Sequence, residues 1–595
     1  MHYIFVSSNN ILIDERMETL QHIKKEDLLF CSFEQPYLSE FCYTSKNRSR
    51  RLDCYSFEKE LNAFQSDDVA NIFHGYLLNN TSLETNGGKE LNPKECYYGV
   101  YSHGFVSATD CYFASDEVGL SPIYYSQRED YLFISNNPHL IAIYQLKLGF
   151  KVAPEPTLPI WHTTGITVES DITGYENIKR VRPWRYITVD FQNVINFPVK
   201  SPMSLPVSYE DSIDYCIEEL RTGMQTIQNR FSLINEVQLT GGFDSRLVLA
   251  FLLEAELQNK YTFETHGVEE HPDLIVAKML CESLGINHKV ESALPLDITM
   301  DVLEQEVKNK CIATAMESTT IRFFNEVFLV KKYNPKLGGL GATMAKSMQY
   351  PESFIAFMKR RFKGQDIDFN NLTGEHLKHA HECIGYSDVD RLYLTDLSFE
   401  NSNNYRKYII EFGLNNFPEN MYYVDCMIAY RYRNHESGLE GLHNRYIYLY
   451  SPAFNETVRK LSPSLRQNSK LHFDIMQKIY PSLCLIPFEN RKYDPELYAH
   501  LPNSLKEQLS LIPKITGSPI SQTQDNAYNF LVPTLRKNLL DMIPKNVFDY
   551  IKKDSLEKRL TEDIPFGKEA FLHINLFGLS KWYEIVADLN RNYSK

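Results

Sequence analysis

Residues 237–253 read VQLTGGFDSRLVLAFLL: a short apolar run, two adjacent glycines, an Asp-Ser-Arg triplet, and then apolar periodicity again. The run EVQL suits a short buried strand, and SRLVLAFLLEAEL suits a helix with a wide apolar face. Between them Gly241 and Gly242 carry no Cβ, so bare backbone can approach whatever lies opposite. Successive amides of such a turn, placed at a helix start, form a concavity that favours negative charge. Leu239 closes the strand, Thr240 and Ser245 add hydroxyl donors, and Asp244 can hold Mg2+. Arg246 either pairs with an anion or faces solvent. A plain tight turn between buried elements is the alternative, but it does not explain the polar triplet.

Outward from this turn, strand and helix alternate. YTFETHG reads as a second strand, and PDLIVAKMLCESLG as a helix closing on Gly285. Such alternation predicts a parallel sheet with crossover helices. On the N-terminal side, Ile213, Ile217, Leu220, Met224 and Ile227 recur at helical spacing, with Ser208 and Asp211 placed as an N-cap pair. The stretch NFPVKSPMSLPVS before it (196–208) reads as a linker. Residues 1–200 are β-rich, in runs such as HYIFVSS, GVYSHGFVSA, CYFASD, PIYYSQ, YLFISNN and RYITVDF. Beyond about residue 345 the pattern is mostly helical.

At 595 residues the chain needs more than one core, and 43% apolar with 23% charged residues is an ordinary globular composition. The net charge of -14, with no basic block, argues against a nucleic acid partner. No apolar stretch approaches the ~20 residues of a membrane span. Eleven scattered cysteines without a Cys-x-x-Cys pair suggest reduced thiols. No signal peptide is evident in MHYIFVSSNN, and a cytoplasmic protein is expected.

The turn TGGFDS resembles the Ser-Gly-Gly-x-Asp-Ser pyrophosphatase loop of the asparagine synthetase family, with Thr240 keeping the hydroxyl. Asp273, Ala277 and the Leu284, Gly285, His288 ending of the next helix match as well. A second cluster, LGGLGATMAKSMQY (337–350), falls where that family has its second pyrophosphate loop, Ser-Gly-Glu-Gly-Ser-Asp-Glu. Gly338, Gly339 and Gly341 remain there, but Ala342, Thr343 and Met344 stand where acids are expected, and Lys346 is placed to meet phosphate directly. Residues 99–144 are similar to the later part of the family's glutaminase domain, through Asp116, Gly119, Pro122, Tyr124, Tyr125 and Ser135. Residue 2 is His2 where the resemblance would place a nucleophilic cysteine, and His74 and Tyr76 replace an Asn and a Glu of the substrate loop.

The resemblance implies an N-terminal Ntn-hydrolase-like αββα sandwich over 1–200 without glutaminase activity. An α/β adenine-nucleotide α-hydrolase-like (PP-loop) domain with a parallel sheet and a helical C-terminal part would follow over 201–595. The implied reaction is ATP-dependent activation of a carboxylate as an acyl-adenylate, with Mg2+ and pyrophosphate release, then attack by ammonia or a substrate amine. The substrate would be a small-molecule, peptide or sugar carboxylate, with no membrane partner, and a homodimer is compatible with it. Glu436 or Glu440 would serve the acceptor pocket, and Lys492, with Arg491 as its alternative, the developing charge. Solvated helix carboxylates and a charged surface turn are the other readings of those positions. A non-catalytic nucleotide-binding or scaffold protein is the competing reading of the whole.

Overall fold

The computed structural model describes residues 2–8, 39–45, 49–56, 63–66, 68–79, 91–164, 171–201, 203–230, 234–267, 269–292, 299–317, 336–346, 395–397, 445–461, 465–466, 469–489, 498–499, 501–512, 535, 539–561 and 568–593. The β-branched and aromatic runs of the N-terminal part form two six-stranded sheets. One contains β1 (His2–Ser8), β2 (Ser39–Thr44), β3 (Arg50–Ser56), β8 (Tyr124–Arg128), β9 (Tyr131–Ser135) and β10 (Lys179–Arg180). The other contains β4 (Ala63–Ser66), β5 (Val69–Leu77), β6 (Gly99–Ser107), β7 (Cys111–Ser115), β11 (Ile187–Val189) and β12 (Ile195–Asn196). Strand pairing is antiparallel throughout both.

The period of two sends alternate side chains to opposite faces. Tyr3, Phe5, Leu52 and Ile134 of the first sheet meet Ile72, Val106, Phe113 and Ile187 of the second in a shared inner core. On the outer face of the first sheet, Ile4, Val6 and Phe133 pack against α1 (Pro138–Lys147), while α2 (Leu158–Thr164) contributes Leu158. Asn137 caps α1 by accepting the His139 amide at 2.9 Å, and Pro138 occupies the first helical position. On the far face of the second sheet, Phe73, Leu77, Leu91 and Tyr101 cluster, and no helix of the described residues shares that cluster. The Asp116 motif is an organising loop. Its carboxylate accepts the amides of Val118, Leu120 and Ser121 around Gly119, whose φ is +72.

The chain then enters α3 (Tyr209–Arg230), where Ser208 Oγ accepts the Asp211 amide at 3.1 Å as the cap pair predicts. A five-stranded sheet follows, in the order β15-β14-β13-β16-β17 and parallel at every pairing. Its strands are β13 (Glu236–Gln238), β14 (Thr262–Gly267), β15 (His288–Ser292), β16 (Lys336–Gly338) and β17 (Arg445–Ile447). The crossovers α4 (Phe243–Glu254) and α5 (Pro272–Leu284) fall where the periodicity places them, and α5 ends on Gly285 at φ +63. The strand β17 lies within the mostly helical part beyond residue 345, where the sequence marks no strand. Three residues are too few to carry a period.

Later helices are α6 (Met300–Thr314), α7 (Pro452–Arg459), α8 (Lys470–Ile479), α9 (Asn503–Leu511), α10 (Lys553–Thr561) and α11 (Lys568–Tyr593). Helices α3, α4 and α8 build the core around the parallel sheet. Helices α6 and α11 instead join the outer layer of the N-terminal sandwich, where Trp582 donates to Gly174 O at 2.8 Å and its ring lies 4.9 Å from that of Tyr175. The two cores meet through Tyr98, whose hydroxyl donates to Tyr448 O and whose ring covers Gly223 of α3. The eight described cysteines are free thiols, and no helix of the described residues is long and apolar enough to cross a membrane.

Candidate active site

The order of the parallel sheet picks out one crevice. From β13 the chain adds β14 and β15 on one side, then returns to add β16 and β17 on the other. Where the winding reverses, the loops after neighbouring strands diverge and leave a cleft at the carboxyl ends. The loops bounding that cleft are the two glycine clusters, residues 239–242 after β13 and 339–341 after β16. They touch: a Cβ on Gly339 would lie 2.6 Å from the Ser245 amide nitrogen. Gly341 has φ +119, a region that L side chains rarely adopt. Leu239, Thr240, Gly241, Gly242, Asp244, Ser245, Gly339, Gly341 and Lys346 are therefore gathered at one place.

Their hydrogen bonds are more inward than the sequence reading supposes. The Thr240 amide donates to Ser245 Oγ at 3.0 Å, Gly241 to Asp273 Oδ1 at 3.0 Å, and Gly242 to Thr240 Oγ1 at 3.2 Å. Thr240 and Ser245 thus shape the turn with their hydroxyls, which lie 3.1 Å apart. The N-terminus of α4 keeps its dipole for the cleft, since the N-cap Gly242 supplies no side-chain acceptor.

Arg246 is neither an anion ligand nor a surface residue. It is fully buried, donates to the carbonyls of Leu483, Ile486 and Pro487, and lies 3.6 Å over the Phe488 ring. Phe488 in turn stacks on Phe243 at 4.4 Å. This clamp fixes the segment that follows α8, so that the Glu489 amide donates to Gly241 O at 3.0 Å. Burial and the adjacent Asp273 push the Glu489 carboxyl well above the usual carboxylate range, which favours its protonated form.

Asp244 lies on the first turn of α4. Its Oδ1 receives Lys346 Nζ at 2.9 Å and His472 Nε2 at 3.0 Å. Burial alone would raise this carboxyl, but the Lys346 charge and the His472 hydrogen bond outweigh it and hold the group well below its ordinary range. The His472 side chain is fully enclosed, and burial lowers its pKa against the opposing pull of Asp244. A neutral ring facing a carboxylate must carry its proton on Nε2.

These donors do not fit the Mg2+ that the resemblance implies at Asp244. A hard dication needs several oxygen ligands. Among the described residues no group of three His, Cys, Asp or Glu side chains could hold a metal ion. The oxygen that would lead such a site already faces an ammonium and an imidazole N–H. Glu436, Glu440, Arg491 and Lys492 lie outside the described residues.

Sequence reasoning missed His472, Phe488 and Glu489. A signal existed for His472, a lone polar residue among Leu471, Phe473, Ile475 and Met476 on the buried face of α8. Tyr76, which stands for the Glu of the expected substrate loop, accepts the Ile447 amide at 3.0 Å and ties β5 to β17.

Comparison with known proteins adds a limited likeness. No protein-family model matches the chain. Over 179 residues it is 25% identical to a protein described as a probable asparagine synthetase [glutamine-hydrolyzing] of Acanthamoeba polyphaga mimivirus, covering 27% of this chain. The chain spans 32% of the length of that curated relative. Among solved structures, a glutamine phosphoribosylpyrophosphate amidotransferase from B. subtilis, complexed with ADP and GMP, is 11% identical with a TM-score of 0.20. That alignment covers 51% of this chain and 70% of the other. A second, described as the allosteric regulatory enzyme of purine biosynthesis, is 10% identical with a TM-score of 0.22, over 50% of this chain and 81% of that one. The chain is similar to an asparagine synthetase over part of its length.

Proposed function

We propose that the protein is an ATP-dependent, amide-forming ligase of the asparagine synthetase type, acting from a PP-loop domain built on the parallel sheet. The observation that carries this reading is the meeting of two glycine loops at the winding reversal, with Asp244 and Lys346 between them. A substrate carboxylate oxygen attacks the α-phosphorus of ATP, the bond to the β-phosphate oxygen breaks, and pyrophosphate leaves. Ammonia or an amine of the substrate then attacks the acyl carbon and expels AMP. The α4 dipole and the Lys346 ammonium favour the charge that accumulates on the departing pyrophosphate. The acid is a small molecule, a peptide or a sugar carboxylate. The N-terminal sandwich acts as scaffold, since Tyr76 and Tyr98 are committed to holding the parallel-sheet core.

A specific observation favours a second reading, a nucleotide-binding protein without turnover: Asp244 is already engaged by Lys346 and His472. Pyrophosphate release from ATP, measured across a panel of carboxylates with and without Mg2+, separates the two. Release with any acid supports the ligase. Tight ATP binding with no release across the panel supports the second reading. Where there is turnover, Asp244→Asn is expected to lower it at least about a hundredfold, the scale on which losing one electrostatic contact at a reacting centre acts. Unchanged turnover in a folded Asp244→Asn variant would remove Asp244 from the mechanism.

A further inference from the structure

A carboxylate beside a chain of phosphates is repulsive unless a cation stands between them. The resemblance supplies that cation as Mg2+ held by acids of two loops, and the second loop offers Ala342, Thr343 and Met344 instead, of which Ala342 and Met344 are buried in the core. The cation present is Lys346. Its Nζ lies 2.9 Å from Asp244 Oδ1 and 5.7 Å from the centroid of the Phe243 ring, which adds a cation–π attraction on that side. An ammonium carries three donors, and the bond to Asp244 uses one. The Lys346 side chain keeps 24% of its surface exposed, at the cleft between the two glycine loops.

His472 completes the arrangement. It donates to the same carboxylate oxygen from a fully buried position on α8, so the carboxylate is fixed on the lysine's side of the cleft. Asp244 is then a positioning residue for Lys346 rather than the leading ligand of a metal.

We infer that Lys346 is the resident cation of this site, and that the phosphates of a nucleotide bind against its ammonium without a divalent metal. This rests on the nucleotide reading above, and it reverses the expected metal requirement.

The test is calorimetric titration of the full-length protein with ATP and with inorganic pyrophosphate, in EDTA and in excess Mg2+. Binding in EDTA is expected with affinity within about threefold of that in Mg2+. Lys346→Met is expected to weaken binding in EDTA at least about tenfold, the scale of one charge-assisted hydrogen bond, while Lys346→Arg retains it. Binding that appears only with Mg2+ would overturn the inference and leave the nucleotide reading standing. So would a Lys346→Met variant that binds as the parent does. If neither ligand binds in either buffer, the nucleotide reading itself is overturned. Should Lys346→Met fail to fold, the comparison of the two buffers on the parent protein decides the matter alone.

Discussion

At the scale of single residues, the site is governed by how two carboxyls are neutralised. The lysine favours the ionised form of Asp244, whereas burial and Asp273 favour the protonated form of Glu489. The second arrangement has a consequence for stability. An unfolded glutamate loses its proton near pH ~4.3. The folded Glu489 keeps its proton well above that, so between these values the folded state binds more protons and stability falls as pH rises. Glu489→Gln cannot titrate and escapes that loss. The variant is expected to gain on the parent by about 1 kcal/mol or more between pH 5 and pH 8, read from urea denaturation at each pH. Parallel pH profiles for the two proteins would show that Glu489 is already ionised when folded. Little of this was readable beforehand. His472 and Glu489 come to the glycine turn from more than two hundred residues along the chain, and no local period records such a meeting. Arg246 misled for a related reason: its carbonyl partners lie 237–241 positions away.

At the scale of elements, legibility followed length and local chemistry. The caps of α3 and α5, the glycine turn and the two crossovers carry their own signals: a hydroxyl at an N-cap, a glycine at positive φ, an apolar face every third or fourth residue. The strands β16 and β17 carry none, being three residues each and paired across more than a hundred positions. What places them is the packing of the loops they feed. Gly339 is the tightest of these contacts, its Cβ position lying on the backbone of Asp244 and Ser245 rather than on a flexible side chain. Gly339→Ala is therefore expected to cost about 1–3 kcal/mol and to force the two loops apart. ATP affinity should fall by more than the stability loss explains, which titration below the variant's unfolding temperature would reveal. Retained affinity would mean that the loops tolerate separation.

At the scale of the whole molecule, the chain is built as two cores that share parts. Helix α11 contributes Trp582, Leu576 and Leu579 to the outer layer of a sandwich whose first strand begins at His2. Trp582→Ala should cost about 3–5 kcal/mol, the usual range for emptying a buried tryptophan site. Because Tyr98, Tyr76 and Gly223 join the two cores, we expect one urea transition, with fluorescence and far-UV circular dichroism coinciding. Separated transitions would show that the cores unfold independently. The return of α11 to the N-terminal sandwich also bears on how the protein is made. During vectorial synthesis α1 and α2 follow the strands closely and cover the sheet, whereas α11, which packs over α1, α2 and α6, leaves the ribosome hundreds of residues later. The apolar outer side of that helical layer stays bare for as long as translation of the intervening chain takes, which makes the nascent protein a natural client for a holding chaperone.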